Sequence, residues 1–150
     1  MKTRLLFLLP LFLAACGAER EDPERREARL AAARAACIGE ELLIGAREKL
    51  EVMEALAASG GGPYVYAKAY HDFAQLRAGE LAYADSALSA DTPADSARYA
   101  ERAARFASSA PTPGTVERNV AEEYARSFQV VATTPAHYCN RPAPEEGEEK

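Results

Sequence analysis

The sequence predicts an all-α protein, an antiparallel bundle of about four helices. Three observations lead there. Apolar residues recur at spacings of three and four in four separate stretches, the period of one helix face. Clusters of Gly and Pro punctuate the chain between those stretches. Short alternating runs of β-branched residues, the mark of half-buried strands, do not occur.

The first helix is expected from about Glu24 to Ala57. Asp22 can cap it, and Pro23 suits an opening turn whose amides have no intrahelical acceptor. Ala32, Ala36, Gly39, Leu43, Ala46, Leu50, Met53 and Ala57 are spaced alternately by four and three, forming one apolar seam. Leu30, Ala33, Cys37 and Ile44 are expected to widen that seam on one side. The seam is small-sided at first and large-sided later, so it admits a close neighbour near its start and a wider gap near its end. Gly39 and Gly45 are poor helix formers, which leaves room for a break near residue 39. Ser59-Gly60-Gly61-Gly62-Pro63 ends the helix. It follows a helix and lacks Gly-Lys-Ser/Thr, so it reads as a connector and not as a phosphate loop.

The second helix is expected from about Tyr64 to Leu88. Ala67, Tyr70, Ala74, Leu81, Ala84 and Leu88 form one stripe, and Tyr66, Phe73, Leu76 and Tyr83 an adjacent one. Their combined width means contact with two or more neighbours. Thr92-Pro93-Ala94-Asp95 resembles a capping box and opens a third helix to about Ser109, with Tyr99, Ala103, Phe106 and Ala110 facing inward. Ala110-Pro111-Thr112-Pro113-Gly114 is a turn. The fourth helix runs from about Thr115 to Ala132, with Val116, Val120, Tyr124, Phe128 and Val131 at helical spacing. The helical domain so defined covers residues 24–140, and 141–150 read as a disordered acidic tail.

Composition bounds the function. A chain of 150 residues with 18 Lys+Arg and 23 Asp+Glu is one acidic domain with net charge −5. It has no basic block to neutralise phosphates, which argues against nucleic acid as a partner. The hydrophobic share of 48% includes 33 Ala, which favour helix but bury little area.

The N-terminus is an address. Lys2 and Arg4 precede an apolar run from Leu5 to Leu13, interrupted by Pro10. That run falls short of the roughly 20 residues a membrane span needs, and it has the layout of a signal peptide. Leu13-Ala14-Ala15-Cys16 then resembles the lipobox of bacterial lipoproteins. The resemblance implies removal of residues 1–15, a diacylglycerol thioether on Cys16 and an acyl chain such as palmitate on its new amino group. Two or three chains, at about 0.8 kcal/mol per buried methylene, anchor stably. Gly17 in place of Asp implies, by the same resemblance, an outer-membrane protein facing the periplasm. Residues 16–23 form the lipidated tether, of which the polar part 17–23 reaches at most ~25 Å. Without residues 1–15 the charge becomes −7, so tethering without adsorption to anionic headgroups is expected.

Removing Cys16 from the count leaves Cys37 and Cys139. In an oxidising compartment an even pair suggests one disulfide. The alternatives are a metal site shared with His137, or two free thiols. The sequence holds no CxxC or HExxH, so no metal and no cofactor is assigned.

Chemistry is thin. His71-Asp72 is the obvious base, but adjacent helical residues diverge by about 100° and are not expected to pair. No catalytic residue is assigned, and the domain is read as non-enzymatic. Glu40-Glu41 and Glu122-Glu123 lack the Glu-x-x-His partners of di-iron bundles. Arg77 and Glu80 are three apart, able to pair, and interrupt apolar stripes. Tyr64, Tyr66 and Tyr70 cluster at one helix end, and Tyr is common at interfaces. These five residues are the candidate binding surface. The leading expectation is a membrane-anchored envelope lipoprotein that binds or positions another envelope protein. The alternative is a carrier of a small apolar molecule or lipid, held between the Leu43–Met53 stretch, Phe73 and Phe128. A tetratricopeptide-like scaffold is a further reading, since Tyr99, Ala103, Phe106 and Pro111 resemble half of one repeat.

Overall fold

The computed structural model describes residues 22–56, 62–108 and 115–141, with side chains not described at 115–117. The signal peptide, Cys16, most of the tether and the tail beyond Arg141 lie outside the described residues. Four helices account for nearly all of the rest: α1 Pro23–Leu56, α2 Gly62–Ser89, α3 Pro93–Ser108 and α4 Thr115–Thr133. A short 3-10 turn follows at Tyr138–Asn140. No strand occurs among the described residues.

Local chemistry sets the helix starts. Asp22 Oδ1 accepts from Glu24 N at 3.2 Å, satisfying one orphan amide of α1. Thr92 Oγ1 accepts from Asp95 N at 3.1 Å and donates to Asp95 Oδ2 at 2.8 Å, which fixes the first turn of α3. Asp95 also pairs with Arg98 at 2.9 Å.

The helices alternate in direction. Gly39 lies by Ala78 and Leu81, while Lys49 lies over the Tyr70 ring, so α1 and α2 run antiparallel. Phe106 lies against Gly79, and Ser96 Oγ donates to Ala87 O at 2.7 Å, so α3 returns antiparallel along α2. Glu123 reaches Lys49, and Ala132 accepts from Arg34, so α4 is antiparallel to α1. The helices do not form a square. α2 is central and packs against α1, α3 and α4, while α4 also packs on α1.

The core sits where α1, α2 and α4 meet: Leu43, Ala46, Tyr70, Ala74, Ala78, Val120 and Tyr124, with Leu42, Tyr66, Ala69, Phe73 and Phe128 packed around it. Val120 and Tyr124 are one helical turn apart and anchor α4 at 1% and 4% exposure. Burying side chains of this size contributes about 1.5–3 kcal/mol each.

Two expectations are corrected. Helix α1 is unbroken through Gly39. That glycine serves the packing: a Cβ there would meet Leu81 Cδ1 at 2.9 Å and Ala78 Cα at 3.4 Å. The apolar seam also widens on the other flank. Leu30 and Ile44 are exposed, whereas Ile38 is 1% exposed and Leu42 packs on the core. On a helical projection Ile38 and Leu42 share a side with Lys49, the side from which Lys49 reaches α4.

The C-terminal segment crosses the flank left open. The structure joins Cys37 to Cys139, with Cα atoms 5.7 Å apart and a sequence separation of 102. Tyr138 donates to Glu41, and Arg34 donates to Asn140 Oδ1 at 2.5 Å, so three consecutive residues step down three turns of α1. Asn140 Nδ2 donates to Val131 O at 2.6 Å and Thr134 O at 2.7 Å, folding the segment back from α4.

Two glycine substitutions should move stability in opposite directions. A Cβ on Gly79 would stand 2.6 Å from Phe106 Cε1 and 2.8 Å from Cδ1, whereas one on Gly45 meets nothing within 4 Å. Urea denaturation should show Gly79→Ala destabilising by about 1–3 kcal/mol and Gly45→Ala stabilising by ~0.5–1 kcal/mol. Equal effects would contradict the packing described.

Removing the crosslink should also register. Closing a loop of about 100 residues stabilises by up to ~4.7 kcal/mol in the chain-entropy picture, and 2–4 kcal/mol is typical. Cys139→Ser should lower the urea midpoint accordingly and abolish the difference in gel mobility between oxidised and reduced protein. An unchanged midpoint would contradict a Cys37–Cys139 bond that holds the fold.

Candidate functional site

The five residues of the candidate surface do not share one environment. Tyr70 is 7% exposed and belongs to the core, so it is no surface residue. Its ring packs on Tyr124 at 6.2 Å, and burial raises the pKa of its phenol. Tyr66 is half-buried and donates to Glu123 Oε2 on α4 at 2.5 Å. Glu123 also lies 3.8 Å from Lys49 of α1, so this polar cluster staples three helices together. Tyr64 is half-buried at the start of α2. Arg77 and Glu80 form the expected ion pair, with side chains 37% and 24% exposed.

Arg77 opens onto a cleft between α2 and α4. Phe73 and Arg77 of α2, with Ala121, Tyr124, Ala125 and Phe128 of α4, line a cleft of about 320 Å³. Phe73 and Phe128 were expected to face a pocket, but no α1 residue lines this one. Leu43 is buried in the core instead. The walls are aromatic: Phe73 meets Tyr124 edge-on at 5.4 Å, and Tyr124 meets Phe128 at 6.3 Å. The α4 side is low, because Ala121 and Ala125 sit one turn apart where larger residues would fill the cleft. That small pair beside Phe128 was the signal available in the sequence.

Tyr124 joins the cleft to the core. Its hydroxyl is buried and has no hydrogen-bond partner among the described residues. A Cβ on Gly39 would stand 3.7 Å from that oxygen. Leaving a buried hydroxyl unmet costs about 1–3 kcal/mol. Burial raises the phenol to about 12, opposed by the positive charge of Arg77 and assisted by the negative charge of Glu80. The Tyr124 ring therefore lines the cleft, while its hydroxyl is buried on the α1 side beside Gly39.

The remaining polar candidates are occupied. His71 Nδ1 lies 3.4 Å from Asp72 Oδ1, which corrects the expectation that neighbours in a helix cannot meet. The contact forms on an exposed edge, where side chains can bend towards each other. Asp72 is shared with Lys68 Nζ at 2.6 Å. Burial pushes Asp72 up, but the Lys68 and His71 hydrogen bonds outweigh it and its pKa lies below the ordinary carboxylate value. His137 Nδ1 accepts from Cys139 N at 3.3 Å and caps the 3-10 turn. No cluster of metal-ligating side chains occurs among the described residues. No known family model, no curated protein and no solved structure matches this chain.

The tyrosines give a direct check of this geometry. The hydrogen bond to Glu123, helped by burial, raises Tyr66 from 10.0 to about 12. Tyr124 rises to a similar value through burial. Between those limits the folded state binds more protons than the unfolded chain, so stability should fall as pH rises from 10 to 12. In an ultraviolet titration Tyr66 and Tyr124 should ionise last. Glu123→Gln should bring Tyr66 back towards 10.0 and leave Tyr124 high. All seven tyrosines titrating together near 10 would contradict the arrangement.

Proposed function

We propose that this protein is a lipid-anchored envelope lipoprotein whose helical domain is a non-enzymatic module that binds or positions another envelope protein. The observation that carries the reading is the ordered N-terminal sequence: Lys2 and Arg4, the apolar run, then Leu13-Ala14-Ala15-Cys16. The Cys37–Cys139 bond supports it, because such bonds persist outside the reducing cytosol. Helix α1 begins at Pro23, so the tether from Cys16 is short and holds the domain close to the membrane. No described helix is long and apolar enough to cross a membrane, and attachment in this reading runs through the lipid on Cys16. Gly17 favours the outer membrane, with the domain facing the periplasm. Tyr64 and the Arg77–Glu80 pair supply the surface for the partner. A non-enzymatic role fits the polar clusters, which join helices to one another (Tyr66, Glu123, Lys49) or brace a single helix (Lys68, His71, Asp72).

A second reading has one observation in its favour. The aromatic cleft between α2 and α4 suits a carrier of a small apolar molecule or lipid.

Cys16→Ser tests the anchor. The wild-type chain should incorporate a clickable palmitate analogue and sediment with membranes, and the variant should do neither. A photo-crosslinker at Tyr64 should then give one dominant protein adduct in the wild type. Membrane sedimentation of the variant, or no adduct at Tyr64 and Arg77 alike, would overturn the reading.

A further inference from the structure

We propose that residues 134–141 are a redox-operated strap, released from α1 when a protein dithiol reduces the Cys37–Cys139 bond while the helical bundle stays folded. The proposal rests on that bond and its surroundings, and not on the lipid anchor or the partner surface.

The strap is held differently from the helices. Its 3-10 turn contains no buried residue. Two hydrogen bonds tie it to α1, from Tyr138 to Glu41 and from Arg34 Nε to Asn140 Oδ1 at 2.5 Å, and both are exposed. Water replaces exposed hydrogen bonds at little net cost. Asn140 Nδ2 donates to Val131 O and Thr134 O, which shapes the strap at its own root without attaching it to α1. Of the contacts described between strap and α1, only the disulfide is beyond replacement by water. Helix α4 is seated otherwise. Val120 and Tyr124 belong to the core shared with α1 and α2, so α4 keeps its place there when the bond opens.

The bond is within reach of a reductant. Neither Cys37 nor Cys139 is buried, and exposed disulfides are the labile ones. One thiolate of the dithiol attacks a sulfur of the bond, forms a mixed disulfide and expels the other sulfur as a thiolate. The second thiolate of the dithiol then attacks the mixed disulfide and frees the remaining cysteine. Two electrons pass to Cys37 and Cys139, which take up two protons and end as thiols, and the dithiol ends as a disulfide.

Opening the strap changes the apolar surface. Ile38 follows Cys37 and is 1% exposed, yet it lies outside the core cluster. The last turn of α4 and the strap lie beside it, since Arg34, one turn earlier, donates to both Ala132 O and Asn140 Oδ1. Val131 is half-buried at that end of α4, and Val130 is exposed. Release of the strap therefore uncovers Ile38 beside the two valines, and reoxidation covers it again.

The test uses the full chain with Cys16→Ser, which leaves one cysteine pair, and dithiothreitol as the dithiol. After reduction, amides of residues 136–141 should exchange about tenfold faster or more, with α2 and the helical circular dichroism unchanged. A water-soluble paramagnetic chelate should broaden the Ile38 methyl signals only in the reduced chain. Cys139→Ser should reproduce both changes without reductant. The rate of reduction should stay flat up to about 1 M urea, because access needs no global unfolding. A rate that climbs steeply with urea, or α2 losing protection together with the strap, would overturn the proposal by making the bond part of the global fold. Ile38 signals equally shielded before and after reduction would overturn it by showing that the strap covers nothing.

Discussion

The fold depends on how α4 is held against the α1–α2 pair. Helices α1, α2 and α3 form successive antiparallel hairpins, but α4 must return from α3 to the far side of α2 and settle between α2 and α1. Val120 and Tyr124 bury at one level of that seam, and the Cys37–Cys139 bond closes the other end. At the first of these levels the Glu123 carboxylate accepts from Tyr66 and sits within reach of Lys49. The buried hydroxyl of Tyr124 is tolerated because its ring contacts Tyr70, Phe73 and Phe128, an apolar gain that offsets the unmet polar atom.

Small residues make that insertion geometrically possible. Gly39 lets α1 approach Ala78 of α2, and Ala46, Ala74 and Ala78 keep the two backbones close. Gly79, on another side of α2, receives the Phe106 ring and fixes α3. The many alanines are therefore a packing device and not just helix-favouring filler. They supply close approach, while a few tyrosines and phenylalanines supply the buried area. The same division leaves a low wall at Ala121 and Ala125, and hence a cleft beside the keystone ring.

Much of this was legible in the sequence. Asp22 with Pro23, and Thr92 with Asp95, set helix starts through hydrogen bonds that depend on neighbouring residues, and local rules see such bonds. The pairing of Cys37 with Cys139 was legible because setting Cys16 aside leaves an even pair of thiols. The two stripes of α2 were legible because their aromatic residues are unmistakable. The flank of α1 was not. Its Ala-rich turns offer equivalent faces, and a seam spaced by four and three drifts by about 20° per heptad against a straight helix. Over that length Ile38 replaces Leu30 and Ile44 as the buried flank, a choice set by where α4 lands. Tyr124 was legible as part of the inward stripe of α4, but its unmet hydroxyl was not, because a tyrosine at helical spacing looks the same from sequence whether its hydroxyl is met or not. The cleft was half seen, through Phe73 and Phe128, because its other wall is an absence of bulk.

The lipid anchor and the helical domain meet in one physical picture. In the function proposed above, a lipid on Cys16 and a short tether hold the disulfide-closed domain against the membrane, with an aromatic cleft on α2 and α4. Helix α4 is pinned at one end by Val120 and Tyr124 and at the other by the segment that carries Cys139. Amide hydrogen exchange with the Cys37–Cys139 bond intact and after reduction tests this pinning most directly. Reduction should speed exchange along residues 120–133 well before it does so in α2. Equal loss of protection across all helices, or none in α4, would contradict it.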